Sequence, residues 1–272
     1  MKCPWKLSLG LVVALGASAP AFADKLDDII ATGTLRCAVM LDFPPMGSRD
    51  AKQSPIGFDV DTCNDIAKAL GVTAQIVDTP LPDRIPALMS NRADIAVASA
   101  SDTLERAKTV GFTIPYFAFT SVILARKSAG IAKYEDLKGK AVGTPAGSTE
   151  GIALQADVST WNTKGGEYKA FQSEADVLLA LSQGQIQATV LPSTVAGSTL
   201  ASGKYPDLEV VGNAPYVPDY VALMVPRSEY GLTNWLNLFI NQQVRTGRYK
   251  ELYKKWIGSS DLAPLVVPGV YR

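Results

Sequence analysis

Apolar and polar positions along this chain alternate between two periods. Continuous apolar runs of strand length are separated by segments in which apolar residues recur at helical spacing. The elements predicted for the first part of the chain are strands at 35–40, 75–77 and 95–98 and helices at 60–70 and 83–91. Gly71 is expected to end the first of these helices. This β-α-β-α-β order predicts a mainly parallel, doubly wound sheet.

A second alternating unit is predicted to begin near Ser121. Its elements are strands at 122–125, 140–144 and 188–191, a helical turn at 134–137, a helix capped by Ser148 or Thr149, and a helix at 174–183. After a strand at 220–225, two helices at 232–245 and 249–257 have no further sheet to join. Since ligands bind at the carboxyl ends of strands in open α/β sheets, two facing units predict a cleft between them.

The first 23 residues have the layout of a cleavable secretory signal. Lys2 and Lys6 precede an apolar run at 7–17, and the sequence Ala-Phe-Ala follows at 21–23. The apolar run is shorter than the roughly 20 apolar residues of a membrane-spanning helix, although a retained N-terminal anchor is the alternative. We therefore expect residues 1–23 to be removed as a signal peptide and the remaining chain to be exported to the periplasm.

Composition removes several function classes. The chain has 26 basic and 26 acidic residues and a formal net charge of zero, which gives no electrostatic footprint for nucleic acid or an anionic membrane. It contains no histidine, which excludes Ser-His-Asp and Cys-His catalysis and most zinc sites. Catalysis by a carboxylate or a lysine remains open on composition alone, but we expect no catalytic residues, no metal site and no cofactor.

Two cysteines lie in the part of the chain expected to be exported. Cys37 falls in an apolar strand pattern, and Cys63 falls on the apolar side of a predicted helix. Export would permit a disulfide between them. Because a buried free cysteine behaves as a small apolar side chain, the pattern favours two buried thiols.

Eight short segments, in this order, resemble one family of transport proteins. They are GTLR at 33–36, FPP at 43–45, GFDVD at 57–61, IPAL at 85–88, DI at 94–95, TLERAK at 103–108, FTIPY at 112–116 and LKGKAVG at 137–143. The chain is similar to the periplasmic polar amino-acid binding proteins of ABC transporters (extracellular solute-binding protein family 3), which include the histidine and the lysine/arginine/ornithine binding proteins. Each segment is weakly specific alone, but the series covers nearly the whole exported chain. Thr62 departs from the pattern, since the family usually has an apolar residue there.

The resemblance implies a type II periplasmic binding protein fold, an α/β architecture of two lobes joined by two hinge strands. Each lobe would contain a mainly parallel sheet flanked by helices. Residues 24–119 and 220–272 would form lobe one, and residues 120–219 would form lobe two. The last helices would then return to lobe one.

The residues themselves indicate where a carboxylate could bind. A buried carboxylate needs matched charge and hydrogen-bond donors, and the planar fork of an arginine supplies both. Arg106 follows a predicted strand end at 99–103, where the cleft of an α/β sheet is expected. Residues 147–149 form a second strand-to-helix turn, whose backbone N–H groups also suit an anion. A surface ion pair of Arg106 with Glu105 or Asp102 is the alternative.

The resemblance implies roles for individual residues. Arg106 matches the arginine that grips the α-carboxylate of the ligand, and Phe43 matches an aromatic residue that packs on the ligand side chain. Leu81 falls where some members have a phenylalanine. The remaining candidate ligand-binding residues are Ser99, Ser101, Thr103, Ser148, Thr149, Met40 and Ser193.

One departure concerns the amine of the ligand. Members that bind α-amino acids usually carry an aspartate after the strand at 188–191, whereas this chain reads LPST at 191–194. A hydroxyl cannot replace a full negative charge at equal strength. Either another acid, such as Asp42 or Glu150, takes the ammonium, or the nitrogen of the ligand is modified or absent. The candidates for holding a substituted amine against an aromatic face are Phe43, Trp161 and Tyr216.

The sequence therefore predicts a periplasmic solute-binding component of an ABC importer, and not an enzyme. It would capture a small carboxylate-bearing solute, an amino acid or a derivative, by hinged closure. Its expected partners are the small-molecule solute and the transporter permease, with no nucleic acid, and the expected state is a monomer. One alternative on the same fold is a cyclohexadienyl or arogenate dehydratase, which would need a carboxylate or lysine as general acid. The other is a protein that presents its ligand to a chemoreceptor.

Overall fold

The computed structural model describes residues 24–258, so the expected signal peptide lies outside the described residues. The first part of the chain contains α1 (Lys25–Thr32), β1 (Thr34–Val39), β2 (Ser48–Arg49), β3 (Pro55–Ile56), α2 (Phe58–Leu70), β4 (Thr73–Asp78), α3 (Arg84–Met89), β5 (Ile95–Ser101), α4 (Leu104–Ala107) and β6 (Val110–Phe119). A 3-10 turn at Leu81–Asp83 leads into α3.

The second part begins after Thr120. It contains β7 (Ser121–Arg126), β8 (Ala141–Pro145), α5 (Thr149–Trp161), β9 (Glu167–Phe171), α6 (Glu174–Ser182), β10 (Ala188–Pro192), α7 (Ser193–Ala201) and β11 (Leu208–Asn213). The chain then returns through β12 (Asp219–Pro226) to α8 (Tyr230–Arg245) and α9 (Arg248–Ile257). The predicted helical turn near residue 134 is a 3-10 helix at Tyr134–Leu137.

Two five-stranded sheets give the molecule two sheet-bearing lobes. The strand order is β4-β1-β5-β12-β6 in the first and β11-β7-β10-β8-β9 in the second. In the first sheet β1 is parallel to β4 and β5, while β12 is antiparallel to β5 and β6. In the second, β8 is parallel to β9 and β10, while β7 is antiparallel to β10 and β11. The sheets are therefore mixed, because in each one a strand that has just crossed from the other sheet inserts against the general direction.

The two chain crossings between the sheets lie side by side. Strand β6 ends at Phe119 and β7 begins at Ser121, and on the way back Asp219 at the start of β12 pairs with Phe119. The backbone N–H of Ala214 donates to the carbonyl oxygen of Ser121 at 2.9 Å. Adjacent crossings of this kind are the arrangement expected of a pair of hinge strands.

The core of the first sheet follows the apolar pattern of the sequence. All seven residues of β5 are buried, and α2 buries Val60, Cys63, Ile66 and Ala67 against the sheet. Helix α2 ends where predicted, because Gly71 adopts the left-handed conformation with φ of 72°. Strand β9 was not predicted, since its residues are half-buried or exposed and lack an apolar alternation.

The prediction of two free thiols is wrong, because Cys37 and Cys63 form a disulfide. Cys37 lies on β1 and Cys63 on α2, and both side chains are fully buried. Helix α2 packs on the face of β1 to which Cys37 points, so two apolar positions 26 residues apart in sequence meet in the core. The residues next to each cysteine in the sequence do not indicate that the two side chains are in contact.

The last two helices return to the first sheet's side of the molecule. Both carboxylate oxygens of Asp24 accept backbone N–H bonds at the start of α8, from Gly231 at 2.8 Å and Leu232 at 2.9 Å. In α9, the indole N–H of Trp256 donates to Asp61 of α2 at 2.8 Å. Within residues 24–258, no helix combines the length and the apolar character that crossing a membrane requires.

Candidate functional site

A cavity lies between the two sheets, at the carboxyl ends of strands from both. Strands β1 and β5 reach it from one side, and β8 and β10 reach it from the other. Its lining residues are Met40, Phe43, Leu81, Arg84, Ser99, Ser101, Arg106, Phe119, Pro145, Ser148, Thr149, Glu150, Glu174, Val190, Leu191, Pro192 and Asp219. The position agrees with the rule that ligands of α/β sheets bind beyond the carboxyl ends of parallel strands.

Arg106 spans the cavity with its guanidinium. Thr103 caps the short helix α4 by accepting the backbone N–H of Arg106 at 3.3 Å, which sets the start of the side chain. Nη1 then donates to the carbonyl oxygen of Ser101 at 3.0 Å, and Nη2 donates to the carbonyl oxygen of Gly147 at 2.7 Å. A guanidinium has five N–H donors, so these two bonds within the described chain leave three for an acceptor in the cavity.

Burial lowers the pKa of Arg106 from its ordinary value, while the carboxyl groups of Asp219 and Glu150 act in the opposite direction. An arginine starts from so high a pKa that it stays cationic under these influences. The cavity therefore contains a fixed positive charge with unused donors.

Hydroxyl groups of the two lobes meet beside Arg106. The Ser101 and Thr149 side-chain oxygens are 2.6 Å apart, and Ser101 also donates to Asp219 Oδ2 at 2.8 Å. Because Ser101 has one hydroxyl proton and Asp219 takes it, Thr149 is the donor to Ser101. Together with the Arg106–Gly147 bond, this gives two hydrogen bonds that join the lobes across the cavity.

The start of helix α5 packs closely against strand β8. Ser148 is the N-cap of α5 and accepts the backbone N–H of Gly151 at 3.0 Å. A Cβ atom on Gly151 would lie 2.2 Å from the hydroxyl oxygen of Thr144, so only glycine allows the helix to sit this close to β8. The first residues of α5, Thr149 and Glu150, consequently face the cavity.

The hydroxyl of Ser99 is hydrogen-bonded within the protein, to Asp59. Its backbone is in the left-handed region with φ of 45°, and its Oγ donates to Asp59 Oδ2 at 3.0 Å. Tyr116 donates to the other oxygen of Asp59 at 2.7 Å and accepts the backbone N–H of Ser99 at 3.0 Å. Burial raises the pKa of Asp59 to about 7 against the opposing effect of these bonds. This closed network holds the end of β5 in its strained shape.

Arg84 is a second buried cation at the cavity wall, and the sequence pattern did not single it out. Its Nη1 donates to the carbonyl oxygens of Ala98 at 2.7 Å and Ser99 at 3.1 Å, and its Nε donates to that of Leu81 at 3.0 Å. Burial, followed by the charge of Arg106, lowers the pKa of Arg84 to about 10. These hydrogen bonds hold two backbone segments in place, the 3-10 turn at Leu81 and strand β5 at Ala98 and Ser99.

Three carboxyl groups line the same cavity. Burial is the main cause that raises the pKa of Glu150 to about 7, of Glu174 to about 8 and of Asp219 to about 6. Repulsion from neighbouring acids adds to each, with Asp219 acting on Glu150 and Glu150 acting on Glu174. Within residues 24–258, no group of three or more Cys, Asp or Glu side chains is arranged to hold a metal ion.

Apolar side chains complete the walls. The rings of Phe43 and Phe119 meet edge to face with centroids 6.2 Å apart, and Met40 and Leu81 lie on the same side. Pro145 and Pro192 lie on the opposite side, at the ends of β8 and β10. A cavity with apolar walls and a few converging charged groups is typical of a small-molecule binding site.

Most of the residues predicted from the sequence come together here. Those that line the cavity are Arg106, Ser99, Ser101, Phe43, Leu81, Ser148, Thr149 and Met40. Thr103 lies behind the wall as the cap of α4, and the Ser193 hydroxyl faces that of Thr120 at 3.0 Å instead. Asp42, Trp161 and Tyr216 are outside the lining, whereas Glu150 is part of it.

Besides Arg84, two acidic lining residues missed in the sequence, Glu174 and Asp219, had only weak signals. Glu174 follows Ser173, which caps α6, so it reads as an ordinary acidic residue in the first turn of a helix. Asp219 immediately precedes an apolar strand, and its polarity marks a loop as well as it marks a site. Only the approach of the second sheet brings both to the wall that Arg106 faces.

Known proteins of the same family match both the sequence and the fold. The family model of the bacterial extracellular solute-binding proteins, family 3, matches residues 35–259. The chain is 27% identical over 270 residues to the L-glutamate/L-aspartate-binding protein of Pseudomonas aeruginosa, covering 93% of this chain and 87% of that protein. It is 27% identical over 258 residues to the lysine/arginine/ornithine-binding periplasmic protein of Escherichia coli, covering 92% and 95%.

Solved structures give the same result for the fold. The P235GK mutant of ArgBP from T. maritima superposes with a TM-score of 0.78 and 31% identity, covering 86% of this chain and 100% of that one. The ancestral amino acid-binding protein AncCDT-1, a precursor of cyclohexadienyl dehydratase, superposes with a TM-score of 0.77 and 29% identity, covering 85% and 99%. The resemblance and the two-lobe α/β fold predicted from the sequence are confirmed, and the chain belongs to family 3 of the bacterial extracellular solute-binding proteins.

Proposed function

We propose that this chain is the solute-binding component of an ABC importer and that it captures a small carboxylate-bearing solute, an amino acid or a derivative, by closing two lobes around it. The observation that carries the proposal is Arg106, a cation at the cavity wall with three N–H donors free for an anion. A carboxylate accepts two parallel bonds from such a fork.

Hinged closure is supported by the contacts that cross the cavity. Arg106 reaches Gly147, and Thr149 reaches Ser101, so each lobe contributes to the same polar wall. A solute that contacts both walls gains its full interaction energy only when the lobes are together, and it therefore shifts the population toward the closed form. We assign residues 24–119 and 220–258 to lobe one and residues 120–219 to lobe two, in line with the strand membership of the two sheets. The expected continuation of lobe one to residue 272 lies outside the described residues.

We assign the protein to the periplasm, with residues 1–23 as the signal peptide. Relatives such as the lysine/arginine/ornithine-binding protein of Escherichia coli are described as periplasmic. The expected partners are the solute and the importer's permease, and the expected state is a monomer. Size-exclusion chromatography with light scattering on the secreted protein tests the oligomeric state, and N-terminal sequencing tests cleavage before Asp24.

A thermal-shift screen tests the proposed function. A solute that binds only the folded protein raises its melting temperature, so the exported chain is screened against amino acids, opines, betaines and small organic acids. We expect at least one carboxylate to raise the melting temperature and to reduce the radius of gyration in solution scattering. A melting temperature that no carboxylate changes would refute the proposal.

One feature of the cavity, the carboxyl group of Glu174, would also suit a dehydratase. The raised pKa of Glu174, about 8, keeps a proton on this carboxyl at neutral pH, as a general acid requires. The named curated relatives are binding proteins, which favours binding as the primary function. Incubation with prephenate or arogenate separates the two functions, because a binding protein returns either compound unchanged whereas a dehydratase releases water and carbon dioxide from it.

A further inference from the structure

Glu174 is a buried carboxyl group without a partner. Its side chain is 4% exposed, it lines the cavity, and within residues 24–258 its Oε1 has no hydrogen-bond partner. Among the described residues, three other buried side-chain oxygens also lack a hydrogen-bond partner, but none of their residues lines the cavity. They are the hydroxyl oxygens of Thr189, Thr194 and Tyr249. Glu174 is thus a strong acceptor that the described protein does not use.

The surroundings of Glu174 make it a receptor for positive charge. No ion pair among the described residues includes Glu174, Glu150 or Asp219. The charged groups that act on Glu174 are Glu150 on α5 and Asp42 on the loop after β1, and both are acids. Arg106 partly offsets the charge of Glu150, and Arg106 and Arg84 partly offset that of Asp219, but among the described residues no cation acts on Glu174. Burying this carboxyl group as an anion is therefore costly, and a cationic guest would offset that cost.

We propose that Glu174, with Glu150 near it, binds a cationic nitrogen of the solute that carries N–H donors, such as an ammonium or a guanidinium group. This inference rests on the proposed function and narrows the class of solute. The solute must then carry a carboxylate, which Arg106 binds, and at least one cationic nitrogen, which Glu174 binds. A quaternary ammonium would bind less tightly here, since it has no N–H to donate to Oε1 and would leave that acceptor without a hydrogen bond.

The aromatic alternative for the solute's nitrogen finds less support. Trp161 packs edge to face on Tyr134 with ring centroids 5.5 Å apart, and Tyr216 packs on the same Tyr134. Tyr216 and Tyr134 also share hydrogen bonds with Asp157. Trp161 and Tyr216 are outside the cavity lining, and Tyr216 instead lines a neighbouring cavity with Glu150 and Asp219. Of the three aromatic candidates, Phe43 alone lines the cavity, where its ring packs edge to face on Phe119, so these candidates do not form an aromatic enclosure for a cation there.

Selectivity of the unmodified protein is the first test. L-Glutamine, L-glutamate and L-histidine are compared by thermal shift and calorimetry with their deaminated counterparts and with their N,N,N-trimethylated betaines. L-Arginine is left out of this comparison, because its deaminated form keeps a guanidinium group that Glu174 could bind. We expect the melting temperature to rise with amine-bearing acids and to change little with the matched deaminated or trimethylated acids. Binding that is equally tight for all three forms would overturn the inference.

The Glu174→Gln variant is the second test. It keeps the shape of the side chain but cannot carry the negative charge that Glu174 acquires when it gives up its proton beside a bound cation. Since charge-assisted hydrogen bonds contribute about 1.5–3 kcal/mol, affinity for the best amine-bearing probe should fall roughly 10- to 150-fold. Glu209→Gln, an exposed position with no ion pair in the described chain, is the matched control and should leave affinity unchanged. Unchanged affinity in Glu174→Gln would also overturn the inference.

The two proposals fail in different ways. If deaminated acids bind as tightly as amines but Arg106→Ala abolishes binding, the carboxylate site stands and the assignment of Glu174 is wrong. If no carboxylate in the set binds, the proposed function is wrong and the inference falls with it. The selectivity comparison uses the unmodified chain, so it decides the matter even where a Glu174 variant does not fold.

Discussion

The guanidinium of Arg106 donates a hydrogen bond to the carbonyl oxygen of Gly147 across the cavity, over a distance of 2.7 Å. The donor belongs to the short helix α4 that follows β5, and the acceptor belongs to the turn between β8 and α5. The residue we assign to the carboxylate is therefore also a bridge between the two sheets. Loss of Arg106 should affect both binding and closure.

Replacing Arg106 with alanine should lower affinity for the best carboxylate by at least about 100-fold. Two charge-assisted hydrogen bonds to a carboxylate contribute about 1.5–3 kcal/mol each, and the substitution removes both. Isothermal titration calorimetry measures the change, and far-ultraviolet circular dichroism verifies the fold. Arg92→Ala, an exposed arginine beyond the end of α3, is the control. An Arg106→Ala protein that binds as tightly as the unchanged chain would remove the central site assignment.

Replacing Thr149 with valine should weaken binding by a smaller factor. The hydroxyl of Thr149 contacts that of Ser101 at 2.6 Å across the cavity. A neutral hydrogen bond contributes about 0.5–1.5 kcal/mol, so affinity should fall roughly 2- to 12-fold. The loss should lie mostly in a faster dissociation rate, measured by stopped-flow fluorescence, because the bond stabilises the closed form.

Thr160→Val is the matched control for that variant. Thr160 lies on the exposed side of the same helix, α5, where its hydroxyl donates to the carbonyl oxygen of Ala156. Its substitution should leave the dissociation rate unchanged. Equal dissociation rates for Thr149→Val and Thr160→Val would show that the contact with Ser101 does not contribute to closure.

The stability of the protein without added solute should fall as pH rises from about 5 to 8. Burial raises the pKa of Glu174 to about 8 and that of Glu150 to about 7. In this interval the unfolded chain has released these protons while the folded protein retains them, so the unfolded state binds fewer protons and rising pH favours it. Each such group contributes up to about 1.4 kcal/mol per pH unit.

Glu174→Gln isolates the contribution of one group to that slope. A glutamine does not titrate, so the variant should be more stable than the unchanged protein at pH 8, and the difference should shrink toward pH 5. Urea unfolding at several pH values provides the free energies of unfolding. Parallel curves for the two proteins would mean that the pKa of Glu174 is not raised by folding.

Removing the disulfide should lower stability but not binding. The Cys37–Cys63 bond closes a loop with a sequence separation of 26, and the chain-entropy model assigns roughly 3–4 kcal/mol to a loop of that size. We expect the Cys37→Ser, Cys63→Ser double variant to lose about this much free energy of unfolding. Affinity should remain within about twofold, because neither cysteine lines the cavity.

Reduction provides an independent measure of the same bond. Dithiothreitol under mildly denaturing conditions should lower the melting temperature of the unchanged protein to that of the double variant and leave the variant unaffected. A melting temperature of the double variant equal to that of the unchanged protein would contradict the stabilising role.

Local sequence predicted the elements that depend on local pattern. Helix α2 is recognisable because its apolar residues recur at helical spacing and Gly71 ends it, and β5 is recognisable as a short apolar run. By contrast, β9 is a half-exposed edge strand whose apolar signal is weak, and β12 runs antiparallel to β5 because the chain enters it from the other sheet. No window of neighbouring residues contains that information.

For the candidate site, the same division holds. Arg106, Ser101 and Thr149 were predictable because each lies in a short motif next to a strand end. Glu174 and Asp219 were not, because a first-turn acid and a loop acid serve ordinary local roles in many proteins. Their burial, and the raised pKa values that follow from it, exist only once the two sheets face each other.

The sequence alone determined the family, the two alternating α/β units and the cation expected to meet a carboxylate, since these rest on order, spacing and residue type along the chain. The tertiary structure alone decided that Cys37 and Cys63 pair, and that Glu174 lies in the same cavity as Arg106. The physical reason is the distance along the sequence over which each interaction acts. Propensity and capping act between neighbours in sequence, whereas desolvation, charge repulsion and disulfide pairing act between neighbours in space.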